Sequence, residues 1–344
     1  MRSFFALKTP MLHVCQWALM GAALLLLAGG IPAMAAPDTS AYFQQEVHYR
    51  LKVRLDDQQH MLYGQLRLAY HNHSPDTLRK LIFHAWPNAY RQPGTPLDQQ
   101  LMQRANYQLH LADEAQRGYL DRLAFENERN EAVAYRLLDA AGERMALELN
   151  RPLAPGDSVI LRTPFRVKIP RIFSRMGHQK QTYHITQWYP KPAVYDREGW
   201  HAMPYLSQGE FFSEYGSFQV EITLPKNYLV AASGTLRSPE EEAFREARFE
   251  ATRAYLDGRY SASRAGFGDR VYSSPEEKTV RFRLDSAHDF AWFASKQYRY
   301  LHDTLPAGAG QPAKPVHVFF RAEDESQYWN NAGAITRKAM TLFQ

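Results

Sequence analysis

The sequence predicts a mainly β protein, assembled as a β-sandwich or a saddle-shaped sheet. Three observations predict it. Near the front, apolar and polar residues alternate strictly through "EVHYRLKVRL" and again through "LYGQLRLAYHN". Further along, many short β-prone runs are separated by turn residues, the pattern of stacked antiparallel sheets. Aromatic residues make up 13% of the 344-residue chain, with 20 Tyr, 19 Phe and 6 Trp, and such side chains favour strands.

Each element arises from its local pattern. Val47, Tyr49, Leu51, Val53 and Leu55 share one face, and His48, Arg50, Lys52 and Arg54 the other. After the polar turn "DDQQH", Leu62, Leu66, Leu68 and Tyr70 point inward again, so the pair reads as an antiparallel hairpin with one wet face. "LIFHAW" (Leu81–Trp86) is a third strand, stopped by Pro87. Asn88–Asn150 mixes loops, a helical stretch near Leu97–Leu111 and short strands. Asp157–Ile169 is a strand pair, or one strand broken at Pro164, and Gly216–Pro225, Tyr228–Ser233 and Lys278–Asp285 are strands. Ser238-Pro239-Glu240-Glu241 is a capping box with proline at the first helical position. It opens a helical surface insertion over about 238–258, with Gly258 as its stop.

Both ends of the chain differ from this body. Arg2 and Lys8, the apolar run Ala18–Gly30 and the small-x-small site Ala33–Ala35 read as a secretory signal peptide over 1–35, cleaved after Ala35. The run is shorter than the ~20 residues a spanning helix needs, so no stable membrane span is expected after cleavage. The chain is then exported, periplasmic or extracellular. The only cysteine, Cys15, lies in that segment, leaving no disulfide, thiolate metal site or cysteine nucleophile. At the other end, 305–315 has a linker composition. A strand ("VHVFF") and an amphipathic helix come next over 316–344, with Tyr328, Ala332, Ile335 and Leu342 on one face. One strand and one helix cannot build a core, so this reads as the start of a truncated second domain behind a β-domain at 36–304.

Charge and motifs exclude several function classes. Taking Arg2 and Lys8 from 41 basic residues leaves 39 against 36 acidic ones, a net charge of +3. No Lys/Arg block stands out, so no nucleic-acid partner is expected. His71 and His73 point the same way on a strand, but continue the wet face with no third ligand evident. His178, His184 and His201 match no common zinc spacing. No histidine is followed by glutamate, so H-E-x-x-H is absent, as are the G-x-S-x-G elbow and a phosphate-binding glycine loop. Asp196 and Glu198 could form an acid pair for glycoside chemistry, or cap the loop that holds them. Around them, Tyr183–Tyr205 holds two aromatic–proline clusters and reads as a surface rather than core. The competing reading is that Trp188, Tyr189, Pro190 and Pro192 pack a loop against the sheet.

The blocks "ITQWYPKPAVYDREGWHAMPY" and "YGSFQVEITLPKNYLVAASGTL" resemble the N-terminal domain of the zinc aminopeptidase family of aminopeptidase N and leukotriene hydrolase, the gluzincin metallopeptidases. The resemblance is to its secreted bacterial branch. "LIFHAWPNAY", "VRFRLDSAHDFAWFASKQYRYL" and "VHVFFRAEDESQYW" agree in order, from about Tyr42 to Gln344. The resemblance implies a saddle-shaped β-sandwich-like N-terminal domain, followed here by the first β–α unit of a truncated thermolysin-like catalytic domain. It also implies that a Thr/Ser-Gln-x-Glu/Gln segment lines the pocket for the N-terminal residue of a peptide substrate. Thr186 and Gln187 match that segment, while Tyr189 stands where the family has Glu or Gln. Substrate contact is therefore assigned to Gln187 and Tyr189. The family's zinc and catalytic motifs lie downstream of the matched region, so zinc belongs to the missing domain and this chain alone is expected to be inactive. The alternative is a stand-alone peptide- or glycan-binding β-sandwich without enzymatic activity. The sequence does not specify an oligomeric state.

Overall fold

In the computed structural model the described residues are 42–267, 271–307, 312–321 and 331–342. The chain divides into two compact units, Met1–Tyr42 and Phe43–Gln344, and every described strand and helix belongs to the second. The signal-peptide segment lies outside the described residues, as does Tyr328 of the terminal helix.

The elements run in order from β1 (Glu46–Asp56), β2 (Met61–His71) and β3 (Leu78–His84) to a 3-10 turn at Trp86–Tyr90 and α1 (Pro96–Gln103). Next come β4 (Tyr119–Asp121), β5 (Tyr135–Leu137), β6 (Arg144–Leu153) and β7 (Ser158–Lys168). The middle holds β8 (Gly177–Gln179), β9 (Thr182–Ile185), β10 (Lys191–Pro192), β11 (Val194–Asp196) and β12 (Gly199–His201). After these come β13 (Gly216–Pro225), β14 (Leu229–Ala232), β15 (Thr235–Leu236) and α2 (Pro239–Leu256). The last elements are β16 (Glu277–Ala287), β17 (Trp292–Ser295), β18 (Arg299–Leu305), β19 (Lys314–Phe320) and α3 (Ala332–Leu342). The protein is mainly β, as its alternation predicts.

A seven-stranded sheet in the order β15-β16-β13-β1-β2-β7-β4 is the frame. Two four-stranded sheets, β10-β3-β6-β5 and β14-β17-β9-β8, complete the larger layers. The β1–β2 hairpin has the predicted register, from Glu46↔His71 to Asp56↔Met61. Its predicted inward residues are buried. β1 pairs in parallel with β13 on its other side. The main core lies on the dry face of this sheet, where Phe165, Trp188 and Trp292 meet ring against ring. Gly64 is required there. A Cβ at that position would lie 2.2 Å from the Phe165 ring.

Pro164 does not split its segment. β7 runs unbroken through it. The Arg162 N–H donates outward to Glu126, so two residues on, the donor that proline lacks also points outward. Pairing on that side is interrupted between Glu126 and Asp121, so no ladder hydrogen bond is lost.

The helices are shorter or held differently from their sequence signals. The stretch near Leu97–Leu111 is helical only over Pro96–Gln103, where the Thr95 hydroxyl caps Asp98 N–H at 3.3 Å. At α2 the capping box does not close. Ser238 is the N-cap but makes no side-chain cap bond. Its hydroxyl instead accepts the Arg281 N–H at 2.9 Å, and Glu241 pairs with Lys278. Both would-be capping groups tie the helix to β16. α2 also packs on β18, where Thr252 is fully buried and accepts the Tyr300 N–H at 3.1 Å.

Leu305 and Lys314 are register partners in the β18–β19 hairpin. The flanks of the linker-like stretch are therefore strand, and its centre at 308–311 lies outside the described residues. α3 buries none of its side chains, with Ile335 and Leu342 exposed, and Arg337 reaches Asp303 at 2.7 Å.

Candidate functional site

The segment after β9 is built by three constraints. Ile185 pairs with Trp292, holding the end of β9 against β17. Lys191 and Pro192 pair with His84 and Phe83 of β3, so the chain crosses between two sheets within five residues. Gln187 makes the crossing with φ +53°. That left-handed conformation costs a non-glycine residue about 1 kcal/mol or more and persists only when its surroundings hold it.

What holds it is a carboxylate distant in sequence. Asp289, between β16 and β17, accepts the Gln187 side-chain amide through Oδ2. Its Oδ1 accepts the Tyr189 hydroxyl at 2.6 Å and its own neighbour's N–H, from Phe290, at 2.8 Å. Lys191 Nζ lies 3.1 Å from the same oxygen. That ammonium is 1% exposed, donates to Ser213 Oγ and the His288 carbonyl, both at 3.1 Å, and so uses its three donors. Burial lowers the Lys191 pKa and Asp289 opposes that shift. Burial, followed by the Asp289 charge, pushes the Tyr189 phenol well up, so it stays a donor.

The Gln187 amide orientation is fixed by this geometry. A carboxylate only accepts, so the NH2 must face Asp289 and the carbonyl must face away. The side chain is 8% exposed, and Oε1 is buried without a hydrogen-bond partner. Thr186 Oγ1, one residue earlier, is also buried and unpartnered. A buried acceptor without a donor costs about 1–3 kcal/mol, so the Gln187 carbonyl is a place where a ligand's donor would be welcome.

The predicted site residues therefore separate. Gln187 carries an open acceptor. Tyr189 is 1% exposed, lies among Tyr49, Trp188 and Phe218, and supports Asp289 from behind. Its hydroxyl is engaged with Asp289. The reading of this stretch as surface is corrected. Trp188 is 0% exposed, with its indole N–H on the Phe290 carbonyl at 2.9 Å, and Pro190 to Val194 are buried. Its aromatic residues alternate with prolines because they fill the space between sheets.

Sequence reading missed Asp289 and Lys191. Asp289 lies inside the block "SAHDFAWF", and nothing local says that its carboxylate sits beside residue 189. Three internal donors converge on its Oδ1 and one on its Oδ2.

The other candidates stay apart. His178 stacks on His60 at 3.6 Å, His184 packs on Phe293 at 5.4 Å, and His201 pairs with Asp196 at 2.8 Å. Asp196 also accepts the Glu198 N–H at 2.8 Å, so this acid caps its loop. Glu46 bridges His48 at 3.1 Å and His73 at 3.6 Å through opposite oxygens. Among the described residues no group of three or more His, Cys, Asp or Glu is placed to hold a metal. The zinc implied by the resemblance therefore has no donor set here, and no chemical step is assigned to it. Among the same residues no helix is long and apolar enough to cross a membrane.

No protein-family model matches the chain, and no curated protein sequence does. Solved structures similar to it include a mutant two-domain M1 zinc metallopeptidase bound to L-tryptophan, at 12% identity and a TM-score of 0.44, covering 86% of this chain and 53% of that one. Another is a mutant M1 zinc metallopeptidase from Deinococcus radiodurans, at 12% identity and 0.42, covering 86% and 52%. A third is the M1 zinc metallopeptidase from the same organism, at 12% identity and 0.40, covering 81% and 47%. The chain spans about half the length of these structures.

Proposed function

We propose that this chain is the N-terminal, substrate-pocket part of an exported zinc metallo-aminopeptidase that removes residues from the N-terminus of peptides. The zinc and the groups that hold it would come from polypeptide outside this sequence, and the chain alone would be inert. One observation carries the reading. Gln187 is held in a left-handed conformation, its amide nitrogen pinned by Asp289 and its buried carbonyl oxygen left open. Gln187 and the preceding Thr186 are the two residues that match the family's pocket segment. An open amide carbonyl suits an ammonium or a peptide N–H.

The test uses the protein as its source makes it, with its intact mass measured in the same preparation. Release of aminomethylcoumarin from aminoacyl derivatives should be blocked by phenanthroline, and N-acetylated substrates should be inert. Gln187→Ala should raise KM about tenfold, the loss of one well-placed hydrogen bond to a charged group, with little change in stability. Failure of the source-made protein to release the fluorophore would overturn the reading.

A further inference from the structure

The solvent face of the seven-stranded sheet carries a feature the pocket reading does not use. Strand register places Arg50 opposite Arg67, and Arg67 opposite Arg162, in one row across β1, β2 and β7. Arg50 also faces Gln219, which faces Arg283. Like charges directly opposite on one face repel. The neighbouring rows are compensated: Arg54 pairs with Glu277 at 2.7 Å, Arg166 with Asp121 at 2.6 Å, and Lys52 with Glu221 at 3.5 Å. The Arg50–Arg67–Arg162 row is not. Arg162 donates only to the neutral Asn130 side chain, at 3.2 Å, and Arg50 and Arg67 have no ion pair or side-chain hydrogen bond among the described residues.

The row lies along a trough. Two adjoining hollows of about 540 and 630 Å³ share Lys52, Gln65 and Pro164 in their walls. The acids lining them are Glu126 and Glu221. Tyr63, 41% exposed, is the one exposed aromatic side chain in the walls.

We propose that this trough docks an extended acidic peptide segment. Arg50, Arg67 and Arg162 stand on adjacent strands, about 4.8 Å apart along the row. Their long side chains can splay from that spacing onto carboxylates at alternate positions of an extended chain, about 6.8 Å apart. Guanidinium groups fork onto carboxylates in pairs. A single-stranded nucleic acid would want several stacking rings, which this face lacks. A flat lipid surface would not reach the floor of a trough. The site is separate from the Gln187 node and stands or falls without it.

The test is fluorescence anisotropy with the whole chain and a fluorescein-labelled decapeptide of alternating Glu and Thr, against the same peptide with Gln for Glu. Binding should require the glutamates and weaken with salt. Arg67→Glu should weaken it about tenfold or more, Arg67→Gln less, and Arg151→Gln, a charge removed elsewhere, should leave it unchanged. Thermal unfolding of each variant reports folding. Equal binding of the Glu and Gln peptides overturns the proposal, as does equal loss in Arg67→Glu and Arg151→Gln. Binding of oligo-dT, or of vesicles containing phosphatidylglycerol, in place of the peptide also overturns it.

Discussion

The two faces of β1 handle charge in opposite ways. Tyr49 looks inward onto Tyr189, and behind it Asp289 and Lys191 sit with their internal partners supplied. Arg50, one residue on, looks outward beside Arg67 with no counter-charge. In the interior an unpaired charge is costly, and the Asp289 and Lys191 charges meet each other there. On the wet face water screens the repulsion, and the row survives at a small cost. Charges within the core therefore report architecture, and uncompensated charges on the surface report what the surface meets. The Gln187 carbonyl oxygen makes the node interesting, because it is buried and unpaired on a side chain whose amide nitrogen is bound to Asp289.

The sharpest way to break the comparison is to remove the inner acid, whose side chain is 21% exposed. Asp289→Ala leaves the Tyr189 hydroxyl and the Gln187 amide without this acceptor and the Lys191 ammonium without its counter-charge. We expect a loss of about 3 kcal/mol in denaturant unfolding, the low end for a broken buried pair. The double variant Asp289→Ala/Lys191→Met should recover part of it, since an apolar replacement of a buried pair is far cheaper than a broken one. A loss below about 1 kcal/mol for Asp289→Ala would mean that the node is wetter than its burial suggests.

A fully buried acid gives a pH signature. Glu143 is 1% exposed and accepts the Tyr205 N–H at 2.9 Å. Burial lifts its pKa to about 7 from 4.5, against the lowering effect of that hydrogen bond. A raised carboxyl pKa means the folded state holds the proton more tightly. Its contribution is whole below pH 4.5 and is lost as pH rises through about 7. Glu143→Gln keeps the acceptor and removes the proton. It should match the wild type at pH 4 and exceed it at pH 8 by up to about 3 kcal/mol. Parallel stability–pH curves for the two proteins would refute this.

How much of this was legible in the sequence depends on the range of the interaction. The β1–β2 hairpin and its wet face come from period-two alternation alone, because Val47 through Leu55 must all turn one way. Gln187 was singled out through the blocks around it. Asp289 was not, because the contact joins residues 100 apart through the core. Pro164 looked like a strand end because local rules do not show which side of a strand carries its partner. Ser238 and Glu241 looked like a capping box because sequence spacing does not show that β16 offers both groups a better partner. The arginine row is invisible in the chain, since Arg50, Arg67 and Arg162 are spread over three strands and only the register aligns them. Net charge hides it as well.

A third, smaller effect tests the packing around the node. Trp188→Phe keeps most of the ring volume but leaves the Phe290 carbonyl without its indole donor. We expect a loss of about 1–2 kcal/mol from the bond and the packing gap. Because Phe290 directly succeeds Asp289, near-UV circular dichroism should report any loosening of the aromatic cluster. A loss within error of zero would detach Trp188 from the support of Asp289.

The smallest effect carries the other half of the comparison. Arg67→Glu places an acid between Arg50 and Arg162 and turns two repulsive cross-strand neighbours into attractive ones. Cross-strand pairs of this kind contribute about 0.2–1 kcal/mol, so the variant should be more stable than the wild type by about 0.5 kcal/mol in low salt. The gain should shrink as salt rises, because the charges are separated by solvent. An inner acid removed destabilises, while a surface acid added stabilises, and the two results together would show that the inner charges are compensated and the outer row is not. If Arg67→Glu instead destabilises the protein, the arginine stems are packing on the sheet and their charges are incidental to the fold. In that event the row would have a structural reason to exist, and the asymmetry between the two faces of β1 would disappear.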